Sequence, residues 1–279
     1  MLARARVAVA YRWRHGRWPD LDRPRRFTEH VQARKLWNRD PALARLTDKL
    51  AGKAVALGQL GAEAVIPTLW SGTELPVLPP APLPLIVKAN HGCNQTVVVR
   101  TLADWSRAGR IAPTWLTHAY GQWLDEWHYR AARRMLLVEP FVGDPAKLPL
   151  DYKVYVFHGA ARLVQIHFDR GTPEHRWVQY DRQWKRQSRA DGQSEAVAPL
   201  TLDAMLAAAE RLAGDHDFLR VDFYEIEGRL LFGEFCLYPG SGLDPFDPPE
   251  LDLRLGAYWG VPATRPAHVL GPIPVALGN

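Results

Sequence analysis

Two stretches of the chain alternate apolar and polar residues about two-residue turns. Tyr152–Phe157 and Arg162–Phe168 flank His158-Gly159, and Phe218–Ile226 and Arg229–Leu237 flank Glu227-Gly228. Period-two patterning around such turns predicts a pair of antiparallel hairpins. Between them, Leu202–Leu212 carries apolar residues at helical spacing and stops near Gly214. Upstream, the apolar run 85–89 reads as a buried strand that enters a polar, glycine-containing loop (His91–Gln95). Strand character resumes over Thr96–Val99, giving a flap-like hairpin, and Met135–Val142 is another buried strand. Residues 101–109 and 113–128 read as helices. The first sixty residues read as helices too. Thr28 is a plausible N-cap for a helix through Arg39, Asp40-Pro41 starts the next, and Thr47–Leu60 ends near Gly61. A proline-rich connection, Pro76–Pro84, separates this helical part from the strands, and the segment from Pro262 onward is irregular. The pattern is α+β, with antiparallel sheet and segregated helices.

Composition narrows the class. With 47% hydrophobic residues over 279 positions, the chain has ample material for a core and is not disordered. Two cysteines, Cys93 and Cys236, are too few for a disulfide scaffold, and free thiols with no export signal point to a cytoplasmic setting. Five prolines break the apolar segment Leu75–Val87, so it cannot span a membrane. The net charge of +5 is unevenly placed: residues 1–35 hold ten Lys/Arg against three Asp/Glu, a local +7. Such an arm reads first as a solvated helix with Trp13 and Trp18 packing onto the body. An anionic lipid surface at the inner face of the membrane, an acidic polymer or an acidic partner are the other readings. No recognition motif accompanies the charge, so nucleic acid is not expected.

The C-terminal hairpin holds the densest chemistry. Arg220, Asp222 and Tyr224 share one strand face, and Glu234 and Cys236 share one face of the next. If the faces coincide, two carboxylates and a guanidinium converge, a hard-oxygen set that suits Mg²⁺; the alternative is an ion network on a solvated face. Pro239-Gly240-Ser241-Gly242 follows directly, and its backbone N–H groups and hydroxyl could cradle an anion or simply form a turn. Lys88 ends a strand just before a glycine loop and is placed to reach phosphates; Lys153 sits similarly after Asp151.

These residues occur in a recognisable order: Lys88-Ala-Asn-His91-Gly92, Glu139-Pro-Phe-Val142, Asp151-Tyr-Lys153, Asp169-Arg170, Arg220-Val-Asp222, and Gly233-Glu234 followed by Pro239–Gly242. The set resembles the ATP-grasp superfamily, and more closely its TupA-like branch, associated with surface polysaccharide and teichuronopeptide biosynthesis. Arg26-Phe27-Thr28-Glu29, Arg34-Lys35-Leu36-Trp37, Asp48-Lys49 and Glu126-Trp127-His128-Tyr129 resemble that branch as well. The resemblance implies a basic helical region (1–62), a small lobe with flap and hinge (63–145), a large lobe with the metal site (146–260) and a tail (261–279), with ATP clasped between antiparallel sheets. It implies nucleotide contacts from Lys88, His91, Gly92, Asn94, Glu139, Phe141, Val142 and Lys153, with the backbone of Phe141 and Val142 reading adenine. Asp222 and Glu234 would hold Mg²⁺. Arg220, Lys153 and Arg170 would act at the acyl phosphate or substrate carboxylate, and Pro239, Gly240, Ser241, Gly242 and His128 would meet substrate.

The chain departs from the pattern twice. Cys236 stands where the superfamily often has a metal-binding Asn, and Gly92-Cys93-Asn94 replaces a Gly-Ser-Gly flap. Both cysteines read as small apolar fillers. Trp177 and Trp184 could stack on a sugar ring or pack in the core. The expected activity is ATP-dependent carboxylate–amine ligation through an acyl phosphate, with a small-molecule or glycan carboxylate and an amine as substrates. Removing Asp222 or Glu234 is expected to cost catalysis far more than folding. A kinase acting on a hydroxyl and a non-catalytic nucleotide-binding module remain open; a glycosyltransferase ranks last.

Overall fold

The computed structural model describes residues 2–168, 172–189 and 195–260. The tail 261–279 and Arg170 lie outside the described residues. Four helices open the chain: α1 (Leu2–His15), α2 (Phe27–Trp37), α3 (Pro41–Leu46) and α4 (Lys49–Leu60). A first sheet follows, from β1 (Trp70–Gly72), β2 (Leu85–Ala89), β3 (Thr96–Val99) and β4 (Leu136–Pro140), with α5 (Leu102–Trp115) inserted before β4. A second sheet takes β5 (Asp151–Phe157), β6 (Ala160–Phe168), β7 (Arg176–Tyr180), β8 (Leu219–Ile226) and β9 (Arg229–Cys236); α6 (Leu202–Ala213) precedes β8 and α7 (Pro249–Gly260) follows β9. The strand orders are β1-β4-β2-β3 and β7-β6-β5-β8-β9, every pair antiparallel.

Both expected hairpins form. Their turns place His158 and Glu227 at positive φ (47° and 52°), each followed by a glycine that takes the left-handed region without cost. The first sheet packs one face on α5 through Leu85, Val87, Val97, Val99, Trp105, Leu136 and Val138. Since strand side chains alternate, Ile86 and Lys88 point the other way, toward the second sheet.

Several boundaries differ from the sequence reading. Thr28 lies inside α2, because Glu29 accepts the backbone N–H groups of Arg25 and Arg26 and so closes the helix start two residues earlier. Thr28 is turned to α7 instead: its N–H and hydroxyl donate to Asp252 at 3.0 and 2.8 Å. The helix expected over 113–128 stops at Trp115, since Pro113 cannot continue the ladder and Gly121 and Asp125 adopt left-handed backbone (φ 71° and 59°) around short 3₁₀ turns.

The N-terminal helices complete the large core. Phe27 sits among Tyr155, Phe157, Phe218, Phe246 and Trp259 with ring centroids 4.9–6.1 Å apart. At the same contact a Cβ on Gly256 of α7 would lie 2.1 Å from the Arg25 carbonyl oxygen, so only glycine permits this approach. Trp13 and Trp18, expected to pack onto the body, stand 83% and 63% exposed; Val7 and Tyr11 make the inward contacts of α1. Among the described residues no helix is long and apolar enough to cross a membrane.

Candidate active site

A cleft of about 400 Å³ opens between the two sheets. Its first wall carries Ile86 and Lys88 of β2, Thr96 and Val98 of β3, and Glu139 of β4; its second carries Tyr224, Gly233 and Glu234. Lys49 and Lys53, one turn apart on α4, close one end. Charges fill it in pairs. Glu139 accepts Lys88 Nζ at 2.6 Å on one oxygen and Lys53 on the other. Glu234 accepts Lys49. Deeper, Asp222 accepts Lys153 Nζ at 2.8 Å and a bidentate contact from Arg220 at 2.7 Å for each oxygen, while Lys153 also reaches Asp151. Thus five cations face four carboxylates.

Register explains the convergence. Asp222 pairs directly with Glu234 across β8 and β9, and with Lys153 across β8 and β5, so all three share one face of the large sheet. Burial opposes charge on Glu139, yet Lys88 and Lys53 outweigh it and hold the carboxyl below its usual range. In the same way burial opposes charge on Lys88, Lys49 and Lys153, and their carboxylate partners raise each above the ordinary lysine value. A more open groove of about 740 Å³ lies on the far side of Lys53, lined largely by aliphatic carbon of Leu50, Ala54, Leu57 and Val65; its two cations, Lys53 and Arg229, pair with Glu139 and Glu63.

Beyond Arg220 a small cavity of about 60 Å³ is bounded by Tyr155, Gln165, His167, Trp177, Gly240 and Asp244. Its loop is Pro239–Gly242, in which Gly240, Ser241 and Gly242 all have positive φ (52°, 57° and 64°). Successive left-handed residues turn the Ser241 and Gly242 carbonyls toward the N-terminal helices. Gln32 Nε2 donates to both at 2.8 and 3.0 Å, and Lys35 Nζ donates to the Ser241 carbonyl at 2.7 Å with the Ser241 hydroxyl 2.6 Å away. Glu126 also hydrogen-bonds Ser241. Burial dominates this cluster, lowering Lys35 to about 8 and raising Glu126 to about 7, each partly restored by the other's charge.

A model of the TupA-like ATP-grasp family matches residues 29–259. The chain belongs to the TupA-like ATP-grasp family. Solved structures with a similar fold include the D-alanine–D-alanine ligase of Bacillus anthracis (16% identity, TM-score 0.45, covering 74% of this chain and 60% of that one). They also include the L-amino acid ligase of Bacillus licheniformis (12%, 0.47, 78% and 48%) and the D-alanine–D-alanine ligase of Helicobacter pylori (15%, 0.44, 76% and 58%). This chain spans about half to three-fifths of their lengths. No protein of curated function matches it.

In this TupA-like chain, the residues expected at the nucleotide divide into two groups. Lys88, Gly92, Asn94, Glu139 and Val142 line the cleft, and Lys153 lies next to it, bonded to Asp222. At Gly92 a Cβ would fall 2.1 Å from Gln95 Oε1, and Asn94 takes φ 60°, so the flap turn survives without the Gly-Ser-Gly sequence. His91 is a correction. Its ring is fully buried behind the flap, Nε2 lies 2.8 Å from the Trp115 carbonyl oxygen, and burial lowers its pKa. Phe141 is corrected in part: its N–H already donates to the Pro84 carbonyl at 3.1 Å and cannot read an adenine edge. His128 is corrected as well. Fully buried, it bonds Tyr238 through Nδ1 and Asn38 through Nε2, and so steadies the residue before the Pro239 loop rather than touching substrate. Trp184 stacks on Tyr180 at 4.6 Å, a packing role, whereas Trp177 borders the small cavity.

Sequence reasoning missed Lys49, Lys53 and Lys35 as site residues. Asp48-Lys49 and Lys35 stood in matching segments, but helical lysines read as solvent-facing until their partners are known.

The donor chemistry fits a magnesium ion. Asp222 and Glu234 are adjacent hard-oxygen donors, and Asp222 spends three of its roughly four lone-pair positions on Arg220 and Lys153, leaving one on Oδ1. Among the described residues no cluster of three His, Cys, Asp or Glu forms. Cys236, opposite Arg220 in register, is buried and its thiol is pushed up to about 12, so it stays protonated and adds no ligand. Cys93, pushed up to about 11 by burial and 3.0 Å from the Tyr129 hydroxyl, is equally inert.

Proposed function

We propose that this chain is an ADP-forming carboxylate–amine ligase. A substrate carboxylate attacks the γ-phosphorus of ATP, giving an acyl phosphate and ADP; an amine then attacks the acyl carbon, phosphate leaves, and an amide remains. The observation that carries the reading is the position of Arg220. It grips Asp222 at the floor of the charged cleft and also borders the cavity under Pro239–Gly242. A carboxylate held in that cavity by Arg220 meets the transferring phosphoryl group at the shared wall.

The residues divide the work electrostatically. Lys49, Lys53 and Lys88 exchange Glu234 and Glu139 for phosphate oxygens, so the cleft trades existing ion pairs for new ones instead of desolvating bare charge. Lys153 and Arg220 neutralise charge that builds on the acyl phosphate. Asp222 and Glu234 would hold Mg²⁺, which would supply charge neutralisation at the phosphates. Neither thiol is an available nucleophile, since burial keeps both protonated. Family membership favours a carboxylate of a surface polysaccharide or a related precursor as the acid.

The test is ADP release from Mg²⁺-ATP against a panel of uronic and amino acids, with and without amines. ADP that requires both acid and amine, with an amide in the product, supports the ligase. ADP formed with a hydroxyl acceptor and no amine replaces it by a kinase. ATP binding without turnover on any acceptor replaces it by a binding module.

A further inference from the structure

Helix α1 has two apolar faces. Val7 and Tyr11 face the body and are buried. On the opposite side Leu2, Val9 and Trp13, at helical spacing, stand 78%, 58% and 83% exposed. A soluble helix of fourteen residues normally has one apolar stripe and a polar outer face. Here the outer face is apolar along its midline, with Arg6 and Arg12 about 60° to either side of Val9 on the helical wheel. The helix contains no acidic residue.

Further indoles and guanidinium groups flank the helix. The Arg4 guanidinium lies 5.6 Å from the centre of the Trp37 ring, which is half exposed. Arg6 pairs with Asp125, two residues from the exposed Trp123. Three indoles and several guanidinium groups thus gather around one helix whose segment carries the chain's positive charge.

We propose that the outer face of α1 is a docking surface for an anionic bilayer, lying in the headgroup plane. The chemistry matches layer by layer. Leu2, Val9 and Trp13 enter the acyl boundary, indoles settle at the interface, and arginines on both flanks reach lipid phosphates. A hydrated acidic polymer would satisfy the arginines but leave the apolar stripe in water. The helix is too short and too charged to span, so the contact is peripheral. Its far end also touches the substrate loop: His15 Nε2 lies 3.1 Å from the Gly242 carbonyl oxygen, and Arg14 Nε donates to the Leu243 carbonyl at 3.1 Å. Docking therefore brings the Pro239–Gly242 loop close to the bilayer. The proposal is independent of which reaction the cleft performs.

Co-sedimentation of the full chain with phosphatidylcholine vesicles, with and without phosphatidylglycerol, tests it. Binding is expected only with the anionic lipid. Val9→Ser/Trp13→Ser should weaken it about tenfold or more, and Arg6→Gln/Arg12→Gln by a similar factor, with unchanged melting temperature and unchanged ATP binding in solution. Absence of vesicle binding, full binding by the Val9→Ser/Trp13→Ser protein, or binding to soluble polyglucuronate in preference to vesicles would each overturn it.

Discussion

The charged cleft and the Pro239–Gly242 loop both rest on buried charge, but they use it in opposite ways. In the cleft, Lys49–Glu234, Lys53–Glu139 and Lys88–Glu139 line open volume, so each pair can change partners when a polyanion enters. At the loop, Lys35, Glu126 and Ser241 are buried, and the hydrogen bonds of Lys35 and Glu126 end on Ser241 of the loop itself. The first arrangement is a set of exchangeable contacts and the second is a fixed mould. A buried ion pair is therefore not informative until one knows whether it borders space.

The largest expected effect separates the two. Glu234→Gln should lower ADP formation about a thousandfold with little change in melting temperature, because its partly exposed carboxylate serves the cleft and not the fold. Asp222→Asn should fail in both respects. It leaves Arg220 and Lys153 without their buried counter-ion and should cost about 3 kcal/mol in urea unfolding, more than Glu234→Gln.

On the other side of the comparison, Lys35→Met should destabilise the protein by about 3 kcal/mol, and adding Glu126→Gln should recover most of that loss. The double variant should still bind ATP normally, with a raised KM for the acid substrate. Equal destabilisation by the single and double variants would show that Lys35 and Glu126 are not coupled. A smaller effect compares the two α4 lysines. Lys49→Met should raise the KM for ATP about tenfold, and Lys53→Met less, since Lys88 remains to hold Glu139.

The smallest effect is on pH dependence. Burial first, then Arg34 and Arg39, lower His128 from the ordinary imidazole value of about 6.5 to about 4. The unfolded chain thus takes up a proton that the folded imidazole refuses. Stability from this residue is full above about 6.5 and is lost as pH falls toward 4. His128→Gln should flatten that part of the stability profile, measured by chemical unfolding across the window.

What the sequence disclosed follows from the range of the forces involved. Alternation and two-residue turns are local, so β5–β6 and β8–β9 were legible, and with them the Asp222–Glu234 pairing. Lys88, next to its own flap, was legible for the same reason. Lys35 and Glu126 stand in segments that match the family pattern, but they meet across 91 positions of sequence, so nothing local shows that they share a site. His91 and His128 erred in the other direction: motif position drew attention to imidazoles whose burial is a tertiary fact. β1 and β7 went unread because an edge strand of three residues and one beside a polar loop carry too few alternations. Trp13 was misjudged because a tryptophan is normally hidden and this one is not.

The union of α2 with α7 also bears on how the protein is made. Thr28 and Asp252 are 224 positions apart, and Phe27 reaches its ring partners only after Phe218, Phe246 and Trp259 exist. During synthesis, α2 leaves the ribosome long before α7 and must wait for it with its apolar face uncovered. High sequence separation of this kind slows closure of the core and lengthens exposure of sticky intermediates. A nascent chain arrested before residue 249 should therefore be protease-sensitive in α2 even after the small lobe has folded.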